Sequence, residues 1–280
     1  MQVNDLIRRS TFLMKENRIS SAVLDSEILM AEVLKTSRLN TLLVLNKKVD
    51  KKKINIFNEL VNQRLRGKPI AYIIKKKEFW KNTFFVDEGV LIPRPDTELL
   101  IEQVIELTRK KDNLKILDVG VGSGCILLSI LKEKKGFIGV GMDISKKCIQ
   151  ISKINASKLG LNNRVKFFKS DIDNFTYGKY DLIISNPPYI SYLNYKNLKK
   201  DILGFEPRLA LDGGKDGIIK ISKVIKKSSE LIKKSGKLII EIAYDQNAKV
   251  KKLLINEGFY INKILKDLAG NYRCIISTKI

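Results

Sequence analysis

The 280-residue sequence contains no histidine. That absence removes a histidine general base, a Ser-His-Asp or Cys-His nucleophilic engine, and every histidine-ligated metal centre. Cysteine is scarce as well. Cys125, Cys148 and Cys274 lie far apart and form no Cys-x-x-Cys pair. A structural zinc or a disulfide framework is therefore not expected, and the usage points to a reducing, cytoplasmic compartment. No apolar run approaches the roughly 18 residues of a membrane span. Asp5, Arg8 and Arg9 interrupt the N-terminus before a secretory apolar stretch could form. No metal and no membrane partner are expected, and no internal repeat or low-complexity segment is seen.

What is present is a globular composition, 44% hydrophobic and 30% charged, in a chain long enough for about two domains. The 53 basic and 30 acidic residues give a net charge of +23. Charge of that size raises the question of a nucleic-acid partner. Its distribution answers against one. Residues 1–95 hold 19 basic and 10 acidic residues, and residues 96–280 hold 34 and 20, so there is no dedicated basic arm. Lys, Ile and Asn together make up 100 of the 280 residues, a bias spread along the whole chain like codon drift. Runs such as Lys51-Lys52-Lys53 and Lys75-Lys76-Lys77 read as solvated faces. The charge can still steer an RNA-rich partner at long range, screened by salt.

The pattern changes near residue 80. Before it, apolar residues recur at helical spacing over Asn4 to Asn17, Ser21 to Lys35 and Lys53 to Leu65. Residues 1–73 are read as a small all-helical domain, with Ser20 or Ser21 as an N-cap. Residues 74–95 are read as a hairpin linker turning at Lys81-Asn82 and ending in the extended Ile92-Pro93-Arg94-Pro95. Asp96 is expected to cap a helix running to about Lys110. From Lys115 strands and helices alternate: strands at 115–119, 136–142, 165–168, 180–185 and 236–242, helices at 125–134, 146–159 and 218–234. Tyr260–Leu265 and Tyr272–Thr278 read as an antiparallel pair at one edge. The expectation for residues 96–280 is an α/β, Rossmann-like domain with a mixed seven-stranded sheet, its ligand sites at the strand carboxyl ends.

Three motifs fall at those ends. Leu117-Asp118-Val119-Gly120-Val121-Gly122-Ser123-Gly124 places three glycines at a strand–helix junction, where backbone and ligand can approach closely and the helix offers N–H groups. Its spacing differs from the Gly-x-Gly-x-x-Gly dinucleotide fingerprint. A plain tight turn is the alternative. Asp143, ending the next strand, can accept from both hydroxyls of a ribose, although Ser145 is the better helix cap. Asn186-Pro187-Pro188-Tyr189 follows the fourth strand. Its prolines fix the backbone and lack N–H groups, so carbonyls face outward as acceptors. With the asparagine acceptor and an aromatic ring, that platform suits a planar amino group or a primary amide.

On these motifs the chain resembles the Rossmann-like, class I S-adenosylmethionine methyltransferases that modify planar nitrogens. Glu78-Phe79-Trp80, Leu91-Ile92-Pro93-Arg94-Pro95-Asp96-Thr97-Glu98, Phe205-Glu206-Pro207-Arg208-Leu209-Ala210-Leu211 and Asp267-Leu268-Ala269-Gly270-Asn271 narrow the resemblance. They are similar to the bacterial release factor glutamine methyltransferases, the PrmC/HemK family of protein-(glutamine-N5) methyltransferases, from about residue 65 onward. Val121, Cys125 and Ile172 stand where relatives often carry threonine, alanine and an aromatic residue.

The resemblance implies methyl transfer from S-adenosylmethionine to the glutamine of the Gly-Gly-Gln loop in a peptide-chain release factor. It implies that Gly120, Val121, Gly122, Ser123 and Gly124 shape the methionine side of the cofactor pocket. It places Asp143 on the ribose and Asp171 and Ile172 beside adenine. Asn186, Pro187, Pro188 and Tyr189 would bind the glutamine amide, with Asn186, Pro187 and Tyr189 catalytic. Phe84, Phe85, Arg94 and Glu206 are weaker candidates for a pocket wall, with core packing as the alternative. The rival readings are a nucleic-acid exocyclic-amine methyltransferase, which must flip a base and shows no module for it, and a non-catalytic scaffold. A nicotinamide dehydrogenase is a distant third.

Overall fold

The computed structural model describes residues 1–198 and 200–280. The chain forms two compact units. One comprises Met1–Lys76 and the short helix Lys200–Phe205, the other Lys77–Leu198 and Glu206–Ile280.

The first unit is helical: α1 (Val3–Glu16), α2 (Ala22–Leu34), α3 (Arg38–Leu43), α4 (Lys51–Leu65) and α5 (Ile70–Ile74). Periodicity marked α1, α2 and α4. The other two span fewer than two turns and leave no readable period. Asp50 starts α4 two residues earlier than expected, because its Oδ1 accepts from the Lys53 N–H at 2.9 Å. Ser21 stands at the head of α2, but its hydroxyl donates to Asp25 Oδ2 at 2.8 Å instead of capping backbone. The same oxygen accepts from Arg64 Nε at 2.7 Å, an ion pair with side chains only 10% and 6% exposed. Leu6, Met14, Leu29, Met30, Phe57 and Val61 meet in the unit's core.

The second unit opens with a hairpin, β1 (Lys76–Phe79) and β2 (Asn82–Phe85). Its turn falls on Trp80-Lys81, one residue before the expected place, with Trp80 at φ +54°. Carboxylates hold Trp80 there: its backbone N–H donates to Glu98 Oε1 at 2.7 Å and its indole N–H to Glu133 Oε1 at 2.8 Å. Asp96 is not the expected helix cap. The chain leaves the extended Pro-Arg-Pro stretch through a 3-10 turn, Pro95–Thr97, which shifts the cap position of α6 (Glu98–Leu107) to Thr97. Asp96 instead lies 3.5 Å from Arg273 Nη2.

The strands β3 (Lys115–Val119), β4 (Ile138–Asp143), β5 (Val165–Lys169), β6 (Tyr180–Ser185), β7 (Ile232–Glu241), β8 (Phe259–Lys266) and β9 (Tyr272–Lys279) form one mixed sheet in the order β5-β4-β3-β6-β7-β9-β8. β9 runs opposite to the other six strands. Along the chain come α7 (Cys125–Glu133), α8 (Lys146–Lys158), α9 (Tyr192–Tyr195), α10 (Lys200–Phe205), α11 (Ile219–Leu231) and α12 (Asn247–Asn256). Sequence periodicity missed α12, whose buried residues are just Val250 and Leu254. The central strands read as unbroken apolar runs because both faces are covered. One face packs Leu100, Leu127 and Leu131, the other Ile221, Val224 and Leu254. Strand order reverses between β3 and β6, and such a switch leaves a ligand crevice at the strand carboxyl ends.

Candidate active site

The crevice begins where β3 ends. Gly120, Gly122 and Gly124 have φ of +78°, +55° and +82°, backbone conformations in which a Cβ is strained. A Cβ on Gly120 would meet nothing within 4 Å, and one on Gly122 only Gly120 O at 3.9 Å, so both glycines border open space. A Cβ on Gly124 would strike Leu128 Cδ1 at 2.9 Å, which makes this glycine a packing position. Val121 and Ser123 are buried.

The loop takes up four of its own N–H groups. Gly120 N and Val121 N both donate to Met142 O at 2.9 Å. Gly122 N donates to Asp143 Oδ2 at 3.0 Å, and Gly124 N to Val121 O at 2.8 Å. Four of the loop's N–H groups are therefore not available to a pyrophosphate. That separates it from a dinucleotide cradle more firmly than glycine spacing does. From behind, Ser152 Oγ donates to Gly122 O at 2.8 Å and Asn155 Nδ2 to Ser123 O at 2.9 Å.

Asp143 ends β4 beside this loop and is 9% exposed. Its Oδ2 holds Gly122 and its Oδ1 accepts from Ser145 N at 2.9 Å, leaving each oxygen a second lone pair. Burial raises its carboxyl above the usual carboxylate range, against those two N–H donors. Ser145 caps α8, accepting from Cys148 N at 3.3 Å. On the next strand over, Ser170 N donates to Asp143 O at 3.0 Å, which ties the following residues to the same end of the sheet. Asp171 Oδ1 accepts from Asp173 N at 3.0 Å and caps a 3-10 turn. Ile172, half-buried, packs against the α11 side of the core. Open space beside two glycines and a carboxylate with spare acceptor capacity fit a ribose-bearing ligand that carries no phosphate.

On the other side of β3, Ser185 Oγ donates to Val119 O at 2.7 Å and locks the end of β6 to the glycine loop. Asn186 follows immediately. Its Nδ2 donates to Thr97 Oγ1 at 3.1 Å. No hydrogen bond among the described residues ends on Asn186 Oδ1 or on the Pro187 carbonyl. Pro187 is buried, and Pro188 and Tyr189 are half-buried. The backbone beyond is clamped. Gln246 Nε2 donates to Tyr189 O at 2.9 Å, and the Gly213–Gly217 loop packs so tightly that a Cβ on Gly217 would lie 2.4 Å from Tyr189 O. The Tyr189 hydroxyl donates to Glu241 Oε1 at 3.0 Å. Burial and the neighbouring Glu241 raise the phenol well above its ordinary value. Glu241 is itself wholly buried, and burial pushes its carboxyl up to about 7.

The structure thus gathers the glycine loop, Asp143, Asp171, Ile172 and the Asn-Pro-Pro-Tyr platform at one end of the sheet. The weaker candidates have these partners. Phe84 is fully buried, edge-on to Phe79 with ring centroids 6.2 Å apart. The Phe85 backbone is taken up by Asn155, and Arg94 Nη2 donates to Glu206 Oε1 at 2.5 Å. Sequence reasoning missed Thr97, Asn155, Glu241 and Gln246. Each lies far in sequence from the site residue it holds, so no local spacing could reveal the partnership.

Comparison with known proteins bears on the family and the fold. Residues 5–74 match the PrmC N-terminal domain, and residues 110–271 match a methyltransferase domain. The release factor glutamine methyltransferase of Buchnera aphidicola subsp. Schizaphis graminum is 38% identical over 257 residues, covering 91% of this chain and 92% of that protein. The release factor glutamine methyltransferase of Clostridium acetobutylicum is 35% identical over 282 residues, covering 100% and 99%. Among solved structures, a methyltransferase from Pyrococcus furiosus superimposes with a TM-score of 0.53 at 17% identity, over 78% of this chain and 96% of that one, a likeness of fold.

Proposed function

The chain belongs to the release factor glutamine methyltransferase family, and from that membership we propose that it methylates the side-chain nitrogen, N5, of the glutamine in the Gly-Gly-Gln loop of a peptide-chain release factor. It is a protein-glutamine methyltransferase whose methyl donor is S-adenosylmethionine. When bound, that cofactor supplies a methyl group activated by a sulfonium.

The observation that carries the finer reading is the Asn186 amide. Its NH2 is engaged by Thr97, so Oδ1 is its acceptor for a substrate. The Pro187 carbonyl is a second. A primary amide offers two N–H donors, and two acceptors suit it. An amide nitrogen is a poor nucleophile because its lone pair is delocalised. Two acceptors on its hydrogens would orient that lone pair and favour pyramidal character. Tyr189 would pack against the amide and Pro188 would stiffen the rim. Holding the two reacting groups in line supplies much of the rate. The proton can pass to water after transfer, so a chain without histidine lacks nothing the chemistry needs.

Gly120, Val121, Gly122, Ser123 and Gly124 would border the methionine part of the cofactor, Asp143 its ribose, and Asp171 and Ile172 its adenine. Residues 1–73 would recognise the release factor, residues 74–95 would link, and residues 96–280 would carry the chemistry. Among the described residues no helix is long and apolar enough to cross a membrane.

The test is incubation with methyl-labelled S-adenosylmethionine and, in parallel, release factor, ribosomal protein, tRNA, rRNA and DNA from cells lacking this activity. The expected result is label on the Gly-Gly-Gln glutamine, mapped by mass spectrometry. Label on nucleic acid alone would favour the exocyclic-amine reading. No label on any of them, with cofactor still bound, would favour a scaffold.

A further inference from the structure

Positive charge is spread evenly along the chain, but the fold gathers part of it. In a parallel sheet every strand begins at the same end, so the turns leading into the strands converge on one face. In β3, β6 and β7, neighbours in the sheet, those starts carry Lys115, Lys179, Lys233 and Lys237.

The four lysines meet around one carboxylate. Asp181 Oδ1 pairs with Lys233 Nζ at 2.7 Å, and its Oδ2 accepts from Lys115 N at 2.8 Å. Lys237 lies opposite Leu182, the next residue of β6, and its Nζ donates to Thr278 Oγ1 at 2.9 Å. Lys179 Nζ donates to the Glu230 backbone carbonyl, while the Glu230 carboxylate is taken by Lys227 at 2.7 Å. The Lys115 ammonium lies 5.1 Å and 5.0 Å from the ring centroids of Tyr177 and Tyr180. Among the described residues, Lys115, Lys179 and Lys237 have no carboxylate partner. The turn that leads into β3 adds Arg109, Lys110 and Lys111, which with Glu106 and Leu107 line an open cleft of about 410 Å³.

Ammonium groups short of carboxylates suit a chain of phosphates. Tyr177, 41% exposed beside Lys115, adds an aromatic surface on which an unpaired base can stack. An acidic peptide or an anionic lipid has no base to place there. We propose that this face docks single-stranded RNA through its phosphates. The choice of RNA over DNA rests on the methyl-transfer reading, because a release factor works within RNA machinery. The Asn-Pro-Pro-Tyr platform lies at the opposite, carboxyl end of β6. For strands of five and six residues that is roughly 16–20 Å away, so RNA here is an anchor and not the methyl acceptor.

The test titrates the full chain with a fluorescein-labelled oligouridylate at rising salt, followed by anisotropy. Two triple variants each remove three charges. One is Lys179→Gln, Lys233→Gln and Lys237→Gln on this face; the other is Lys51→Gln, Lys52→Gln and Lys53→Gln at the start of α4. The first should bind about tenfold or more weakly. Its plot of log affinity against log salt should be shallower by about 2, since each lost phosphate contact removes about 0.7. The second should stay within about twofold of wild type. Tyr177→Ala should weaken binding by about fivefold or more with the salt slope unchanged, the scale of one lost base stack. Thermal unfolding confirms that each variant is folded, and methyl transfer to release factor should be unchanged in both lysine variants. Equal losses in the two triple variants would mean that net charge alone acts, and would overturn the proposal. So would no binding by wild type, or tighter binding of polyglutamate, anionic vesicles or the matching DNA oligomer than of RNA. Each of those results leaves the methyl-transfer reading standing, because label on release factor tests it separately.

Discussion

The stability of this protein should fall as pH rises from 5 to 8, and Asp118→Asn should remove a defined part of that fall. Asp118 is wholly buried at the end of β3, and neither of its oxygens has a hydrogen-bond partner. Burial pushes its carboxyl from 3.8 up to about 7, helped by the neighbouring Asp143 charge and only partly offset by the Leu127 N–H that faces it. An acid whose folded value is raised is protonated in the folded chain while already ionised in the unfolded one. Its contribution is complete below the unfolded value, shrinks as pH rises, and is lost once pH passes the folded value near 7. While only the folded chain holds the proton, each tenfold fall in proton concentration costs it about 1.4 kcal/mol. Within the window from pH 5 to pH 8 that condition lasts until about pH 7, a roughly hundredfold fall, so the loss is about 3 kcal/mol.

Asparagine keeps the shape and cannot ionise. Across this window the stability of Asp118→Asn relative to wild type should therefore rise by about 3 kcal/mol, roughly 6–12 °C in melting temperature for a domain of this size. Thermal unfolding of both proteins by circular dichroism at pH 5, 6, 7 and 8 measures it. Taking the difference cancels the general effect of the +23 charge. Parallel curves for the two proteins would refute the reasoning, and so would a difference that grows toward acid.

Other perturbations test other links. Asn186→Ala should lower kcat by about a hundredfold or more while cofactor affinity stays within a few-fold, because it removes an acceptor that orients the amide; single-turnover kinetics with calorimetry separate the two, and equal losses would count against the role. Gly122→Val should abolish cofactor binding, since the residue has φ +55° and borders open space; calorimetry with unchanged affinity would remove the loop from the pocket. Arg64→Leu should cost about 3–5 kcal/mol in chemical denaturation, because it strands Asp25 at 6% exposure beside Ser21 alone.

Much of the fold was legible in the chain itself. Strands buried on both faces produce apolar runs such as Lys115–Val119 and Tyr180–Ser185, and the alternation of those runs with helices dictates a doubly wound sheet. The edge pair β8 and β9 was legible for a similar reason, two β-rich runs around a short polar turn. Helices with one narrow buried stripe, such as α12, were not, and neither were the short α3 and α5. The 3-10 turn that displaced Asp96 from its expected capping role begins at Pro95, inside the stretch that the prolines led one to read as extended.

The site divides in the same way. Sequence by itself determined the parts set by local backbone chemistry. Three glycines free the loop to take positive φ, two prolines remove N–H groups and stiffen the platform, and a residue following a strand must lie at its carboxyl end. Tertiary structure alone decided how those parts are used. It turned the loop's N–H groups inward onto Met142, Asp143 and Val121. It brought Thr97 across 89 residues to Asn186 and Glu241 across 52 to Tyr189. Partnerships of that range leave no period or spacing in the chain, because the energy that selects them comes from burying polar groups with partners, and burial exists only after the sheet has formed.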